Sequence, residues 1–291
     1  MLHTLENSLV VATFKEQGAE LCSFRRKDNG LEYIWGGNPD IWGRHAPILF
    51  PIVGRLNQNK YSLDGQEYNL SQHGFARDKK WATAKEGTDR ILFRLTSDAD
   101  TRLHYPFDFE LLLEYHLENN KLVTTYRVKN VGTGDMLFSI GAHPAFRCPL
   151  RPEEAFEDYY LEFEKVETLD RQLLHHGLRT GEKRQVMDNE MMLPLHADLF
   201  NEDALVFKGI KSSYINLKNN KNTHSVRVDL AGFPYVGIWT KAGEAPFICI
   251  EPWYGVTDKA GTEGEDFRKK EGIQHLLPGS KFECSYAITI D

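Results

Sequence analysis

Two short stretches of this sequence set a titratable side chain where a packed core has no use for one. In Gly141-Ala142-His143-Pro144-Ala145-Phe146 a histidine closes the apolar run Met136–Ile140, and the proline after it fixes the backbone that carries the ring. In Phe247-Ile248-Cys249-Ile250-Glu251-Pro252-Trp253 a glutamate ends another apolar run. A carboxylate at such a strand end is partly out of water, which raises its pKa and makes it a stronger base near neutral pH. Histidine gives or takes a proton in the same range. Together His143 and Glu251 could move protons on a small molecule. Either could also be structural: a core histidine donating to a carbonyl, or a glutamate paired with an arginine at a sheet edge.

Two further stretches mix polar and apolar residues in the same way. His73-Gly74-Phe75-Ala76-Arg77-Asp78 holds a histidine before a glycine, which permits a tight turn or a close ligand approach. Trp42-Gly43-Arg44-His45-Ala46-Pro47 through Leu56 sets Arg44, His45 and Arg55 around a proline-bounded apolar run. His116, His175, His176 and His196 lack such settings and are expected to have no functional part. His73, His143 and Glu251 could in principle form a metal set, but no H-E-x-x-H helix is present. There is also no G-x-S-x-G elbow, P-loop or dinucleotide fingerprint. The expected chemistry is proton transfer without metal or cofactor.

The elements that must position these residues are strands. Phe107, Phe109, Leu111, Leu113, Tyr115 and Leu117 occur at every second position, as do Leu122, Thr124, Tyr126 and Val128, and Phe282, Cys284, Tyr286, Ile288 and Ile290. Shorter apolar runs at 91–95, 159–163, 214–217, 226–230, 235–239 and 247–250 predict more strands. Asp64-Gly65, flanked by Tyr61, Leu63, Tyr68 and Leu70, predicts a two-residue hairpin turn. Helical signals are few: Pro152-Glu153-Glu154 predicts the first turn of one short helix. The stretch 165–199 shows no clear period and reads as a long excursion over one sheet. No linker or repeat divides the chain. All 291 residues are therefore expected to form one all-β domain, a large antiparallel sandwich with few short helices.

Composition excludes other classes. The net charge is −7 with both signs intermixed, unlike the basic face of a nucleic-acid binder. No apolar window is long enough for a membrane helix, and the N-terminus does not read as a signal peptide. The four cysteines are widely spaced, without C-x-x-C or zinc spacing, and are expected to be reduced, in a cytoplasmic protein.

In combination, FPIVGRL, SLDGQEYNL, HGFARD, GAHPAF and IEPWYG resemble the aldose 1-epimerase (galactose mutarotase-like) family, and more narrowly its LacX-like branch. The resemblance runs from Leu9 to the last strand. It implies an antiparallel β-supersandwich, a sugar as the small-molecule partner, and cofactor-independent interconversion of anomers. It implies catalytic roles for His143 and Glu251, and substrate-binding roles for His73, Arg55 and Asp203. The form His73-Gly74-Phe75-Ala76-Arg77 departs from the H-G-G of galactose mutarotases. It looks closer to the LacX-like and hexose-6-phosphate epimerase branches, so Arg77, aided by Arg44, could meet an anionic part of the substrate. A non-catalytic sugar binder on the same scaffold is the chief alternative. A glycosidase is disfavoured, because Glu251 lacks a convincing second carboxylate.

Overall fold

Alternating residues become strands throughout the computed structural model, which describes residues 1–243 and 245–291. In chain order these are β1 (Leu2–Glu6), β2 (Val10–Lys15), β3 (Glu20–Arg26), β4 (Ile48–Leu49), β5 (Lys60–Leu63), β6 (Gln66–Asn69), β7 (Ala82–Glu86) and β8 (Arg90–Thr96). After helix α1 (Ala99–His104) come β9 (Phe109–Glu118), β10 (Lys121–Asn130), β11 (Met136–Phe138), β12 (Ile140–Ala142), β13 (Ala145–Arg147), β14 (Tyr159–His175) and β15 (Leu178–Pro194). The chain ends with β16 (Leu205–Lys208), β17 (Tyr214–Asn219), β18 (Ser225–Asp229), β19 (Tyr235–Trp239), β20 (Phe247–Tyr254), β21 (Gln274–Leu276) and β22 (Lys281–Ile290). The fold is all-β, as the alternation predicts.

One 15-stranded antiparallel sheet dominates, in the order β4-β12-β20-β19-β16-β14-β17-β18-β22-β10-β9-β8-β7, with β13 added on β20 and β15 on β14. The β9–β10–β22 ladder is the long alternating part of the sequence: Leu113, Tyr126 and Cys284 lie side by side on its buried face. The sheet β1-β2-β3 covers part of that face. Phe14 of β2 packs its ring 4.4 Å from Tyr115 of β9, beside Phe93 of β8. Each such ring or aliphatic side chain contributes roughly 1.5–3 kcal/mol on leaving water. The hairpin β5–β6 turns at Asp64 and Gly65, both at positive φ, as a two-residue turn of this type requires.

Two expectations are corrected. Pro152-Glu153 forms a turn, followed only by a 3-10 turn at Phe156–Asp158. The one α-helix, among the described residues, starts instead at Asp98, whose carboxylate caps Thr101 N–H while Thr101 Oγ1 accepts from Asp98 N–H. The stretch 165–199 is mostly the long hairpin β14–β15 rather than an irregular excursion. Register shifts between Glu162 and Leu174 break its alternation, and β15 is an edge strand exposed along most of its length. A bulged edge strand carries no strict period of two.

Candidate active site

Strand β20 carries the site. All eight of its residues pack against neighbours, so period two divides them between two interiors. Ile248 and Ile250 point into the main core, while Phe247, Cys249, Glu251 and Trp253 share the other face. On one side β20 pairs with β12 (Gly141 opposite Trp253) and then, in the same register, with β13 (Ala145 opposite Cys249). His143-Pro144 fills the break between them, where proline cannot donate to the ladder. Unchanged register across that break puts His143 directly opposite Glu251. Its Nε2 lies 3.3 Å from Glu251 Oε2. Two glycines make room beside the pair. A Cβ at Gly141 would stand 2.6 Å from the Trp253 ring, and one at Gly237, the β19 partner of Glu251, 2.4 Å from its far edge.

A cavity of about 440 Å³ opens over this face. His73 reaches it from a left-handed backbone position (φ 66°), its ring 5.5 Å from that of His143 and nearly perpendicular to it. Gly54 N–H donates to His73 Nδ1 at 3.2 Å, which puts the proton of the neutral ring on Nε2 and requires the Gln72 amide, 3.3 Å away, to turn its oxygen towards that nitrogen. Trp42 stacks on the His143 ring at 5.0 Å, Trp239 meets it edge-on at 5.6 Å, and both contact Phe247. This aromatic box fixes the imidazole and keeps water from its faces. A larger groove of about 830 Å³ lies beside the β5–β6 hairpin, but Asp64 and Asp108 there pair with Arg268 and Arg102.

Arg77 and Arg44 line the cavity. Arg77 donates to the Gln72 carbonyl at 2.6 Å and its buried Nε, without a hydrogen bond, lies 3.8 Å from an Asp78 carboxylate oxygen, while Arg44 donates to the other Asp78 oxygen at 2.8 Å. Asp203 lines the opposite wall, also at positive φ (71°), and its carboxylate accepts from Ala204 N–H. Arg55 is placed differently. Its guanidinium donates to the His176 carbonyl at 3.1 Å and lies beside Gly177, not among the lining side chains. Its main chain nonetheless supports the wall: Arg55 N–H donates to the hydroxyl of the lining residue Thr257, which in turn donates to the Gly177 carbonyl at 2.6 Å.

Burial sets the charges. It raises the Glu251 carboxyl well above the usual carboxylate range; the Trp253 indole opposes this and the Asp203 charge adds to it. Burial lowers His143 to about 3, with the Arg77 and Arg44 guanidinium groups adding to the effect and its own backbone opposing it. His73 is driven down by burial and by His143, Arg77 and Arg44. Both members of the central pair therefore favour their neutral forms, a carboxylic acid beside an imidazole, with one titratable proton between them. Glu251 Oε2 and His143 Nδ1 have no hydrogen-bond partner. Such an arrangement can donate a proton at one atom of a bound molecule and accept one at another.

The structure thus gathers His143, Glu251, His73, Arg77 and Asp203 around one cavity, with Arg55 behind its rim. Sequence reasoning missed Trp42, Trp239, Gln72 and Thr257. Trp239 ends the apolar run of β19 and reads as core, and the Trp42 ring reaches His143 only through tertiary folding. Cys249 is buried, and its place two residues before Glu251 puts its sulfur on the face of the pair. Among the described residues, His143, Cys249 and Glu251 form a set of metal-ligating atoms within 4.8 Å of one another.

The family model described as aldose 1-epimerase matches residues 1–274. Protein LacX of Lactococcus lactis subsp. lactis is 34% identical over 98% of each chain. A galactose mutarotase related enzyme from Lactobacillus acidophilus superposes with a TM-score of 0.95 at 34% identity, covering 100% of this chain and 97% of its own. A galactose mutarotase-like protein from Lactobacillus casei gives a TM-score of 0.94, also at 34% identity, with both chains fully covered. The likeness therefore extends through every strand that builds the cavity, and the chain belongs to the aldose 1-epimerase family.

Proposed function

We propose that this protein is an aldose 1-epimerase that interconverts the α and β anomers of a hexose, with Glu251 and His143 as the proton-transfer pair. The observation that carries the reading is the 3.3 Å juxtaposition of a buried carboxyl and a buried imidazole in an open cavity lined by both polar and aromatic side chains. Mutarotation needs one base and one acid and no cofactor. Glu251, as carboxylate, takes the proton of the C1 hydroxyl. The C1–O5 bond breaks as C1=O forms, and His143, as imidazolium, protonates O5. After rotation about C1–C2 the same steps reverse from the other face. The imidazolium–carboxylate form differs from the resting neutral pair only by passage of one proton between groups already in contact. In this reading His73, Asp203 and Arg77, which line the cavity, hold ring hydroxyls, and Trp253 packs on a face of the sugar. Arg55 is assigned a supporting role at the rim.

Two arginines on the cavity wall favour a second reading within the same chemistry, a hexose 6-phosphate as substrate. Asp78 already pairs with Arg44, which weakens the field that a phosphate would meet. The test is NMR of freshly dissolved α-D-glucose, α-D-galactose and α-D-glucose 6-phosphate with and without the protein, in a weakly catalysing buffer. Faster equilibration of any of them supports the epimerase, and the fastest identifies the substrate class. Unchanged equilibration together with a sugar-induced rise in melting temperature would replace the enzyme with a sugar-binding protein.

A further inference from the structure

Cys249 stands outside the reaction above. It lies on β20 two residues before Glu251, on the same face, and is fully buried and unpaired. Its sulfur, a His143 ring nitrogen and a Glu251 carboxylate oxygen all fall within 4.8 Å of one another. Glu251, only 1% exposed, keeps Oε2 without a hydrogen-bond partner, so one ligand position is already unoccupied by protein. We propose that His143, Cys249 and Glu251 form a binding site for a thiophilic divalent cation such as Zn²⁺, and that this cation shuts off proton transfer by taking up the catalytic pair.

The donor chemistry fits this class of ion. One imidazole nitrogen, one thiolate and one carboxylate are a zinc donor set, and the cavity leaves a fourth position open to water or a sugar hydroxyl. Ligand atoms of a tetrahedral zinc site stand roughly 3.3–3.8 Å apart, given bonds of about 2.0–2.3 Å. His143 and Glu251 are already at 3.3 Å, so only the sulfur has to approach. Binding replaces the carboxyl and thiol protons: Zn²⁺ enters and two H⁺ leave, so the buried site stays neutral overall, which a dry interior favours. A hard cation such as Mg²⁺ gains little from the sulfur and nitrogen and is not expected to compete. The metal would occupy the space between base and acid, so it acts as an inhibitor and not as a cofactor.

The inhibition rests on the proposed anomerase activity, whereas binding itself can be read without it. The protein is stripped with EDTA and titrated with Co²⁺, and the near-ultraviolet thiolate-to-cobalt charge-transfer band is recorded. In parallel, Zn²⁺ is titrated into the anomer-equilibration assay. A sulfur band at one cobalt per chain is expected, with micromolar Zn²⁺ slowing equilibration and EDTA restoring it. Cys249→Ala should lose the band, keep its basal rate, and need at least about tenfold more Zn²⁺ for the same inhibition. Cys249→Ser, closer in volume, serves if the alanine variant melts early. Absence of the sulfur band in the wild type overturns the site. Equal Zn²⁺ sensitivity in the variants does so too, since zinc would then act elsewhere, as at the adjacent His175 and His176. Absence of any anomerase activity would instead count against the functional reading and leave the cobalt spectrum to decide the site.

Discussion

Glu20 and Glu251 are each 1% exposed, yet the fold treats them in opposite ways. Glu20, at the start of β3, accepts from His45 N–H at 2.6 Å and Ala46 N–H at 3.0 Å, and Lys15 Nζ lies 2.5 Å away. Burial alone would raise its pKa, but the bonds from His45 and Lys15 overcome this and hold the carboxyl at about 2. Glu251 has one oxygen without a partner and a neutral imidazole as its neighbour, and its pKa is raised. A satisfied buried carboxylate fixes a loop, here the one that leads from Arg44 into β4. An unsatisfied one costs stability and is tolerated where a ligand or reaction uses it.

Glutamine at each position separates the two roles. Glu251→Gln should slow anomer equilibration by about 10²–10⁴-fold, since it removes the general base. It should leave the melting temperature unchanged or raised, because a carboxyl no longer has to be buried. Glu20→Gln should do the reverse, lowering stability by about 3 kcal/mol at pH 7, the equivalent of holding a carboxyl at about 2 in the fold against 4.5 in the unfolded chain. Its rate per folded molecule should change far less than that of Glu251→Gln. Denaturant titration beside the anomer assay checks both, and a stable but inactive Glu20→Gln protein would erase the contrast.

The pH dependence of stability sharpens it further. Glu20 has a depressed folded pKa, so its contribution is complete above about 4.5 and is lost as pH falls towards 2. Glu251 has a raised folded pKa, so the folded state binds the extra proton, and stability declines as pH rises above about 4.5. His143, lowered to about 3, adds a loss as pH falls below about 6.5, where the unfolded histidine charges first. Urea midpoints from pH 3 to 8 should therefore lose their acid limb in part in Glu20→Gln, and lose their alkaline decline in Glu251→Gln.

The smallest effect concerns the ring over His143. Trp42→Leu removes an aromatic stack worth about 1 kcal/mol and lets water reach the imidazole. A loss of about tenfold in kcat/KM is expected, with the pH profile of the rate moving towards that of an exposed histidine. An unaltered profile would mean that Trp42 only fills space.

These contrasts also mark how far the sequence could be read. His143 and Glu251 were legible because a proline and a strand end placed them where a core residue is out of character, and the alternating runs named most of the strands. The hairpin β14–β15 was not, because its register shifts and exposed edge erase the period of two. Trp42 and Cys249 lie within stretches that stand out, yet nothing local marks their parts: the register of β20 against β12 and β13 shows what Cys249 faces, and only tertiary packing brings the Trp42 ring to His143. Arg55 illustrates the converse, a residue to which the family resemblance gave a substrate contact but whose main chain instead anchors Thr257, a residue of the cavity wall.

The central claim is that Glu251 and His143 act as one proton-transfer unit. A double-mutant cycle tests it most directly, with anomer exchange rates measured by NMR for the wild type, Glu251→Gln, His143→Asn and the double variant. A single unit predicts that each substitution costs about 10²–10⁴-fold and that the double variant is little worse than either. Losses that simply multiply, or near-normal rates in either single variant, would contradict the account.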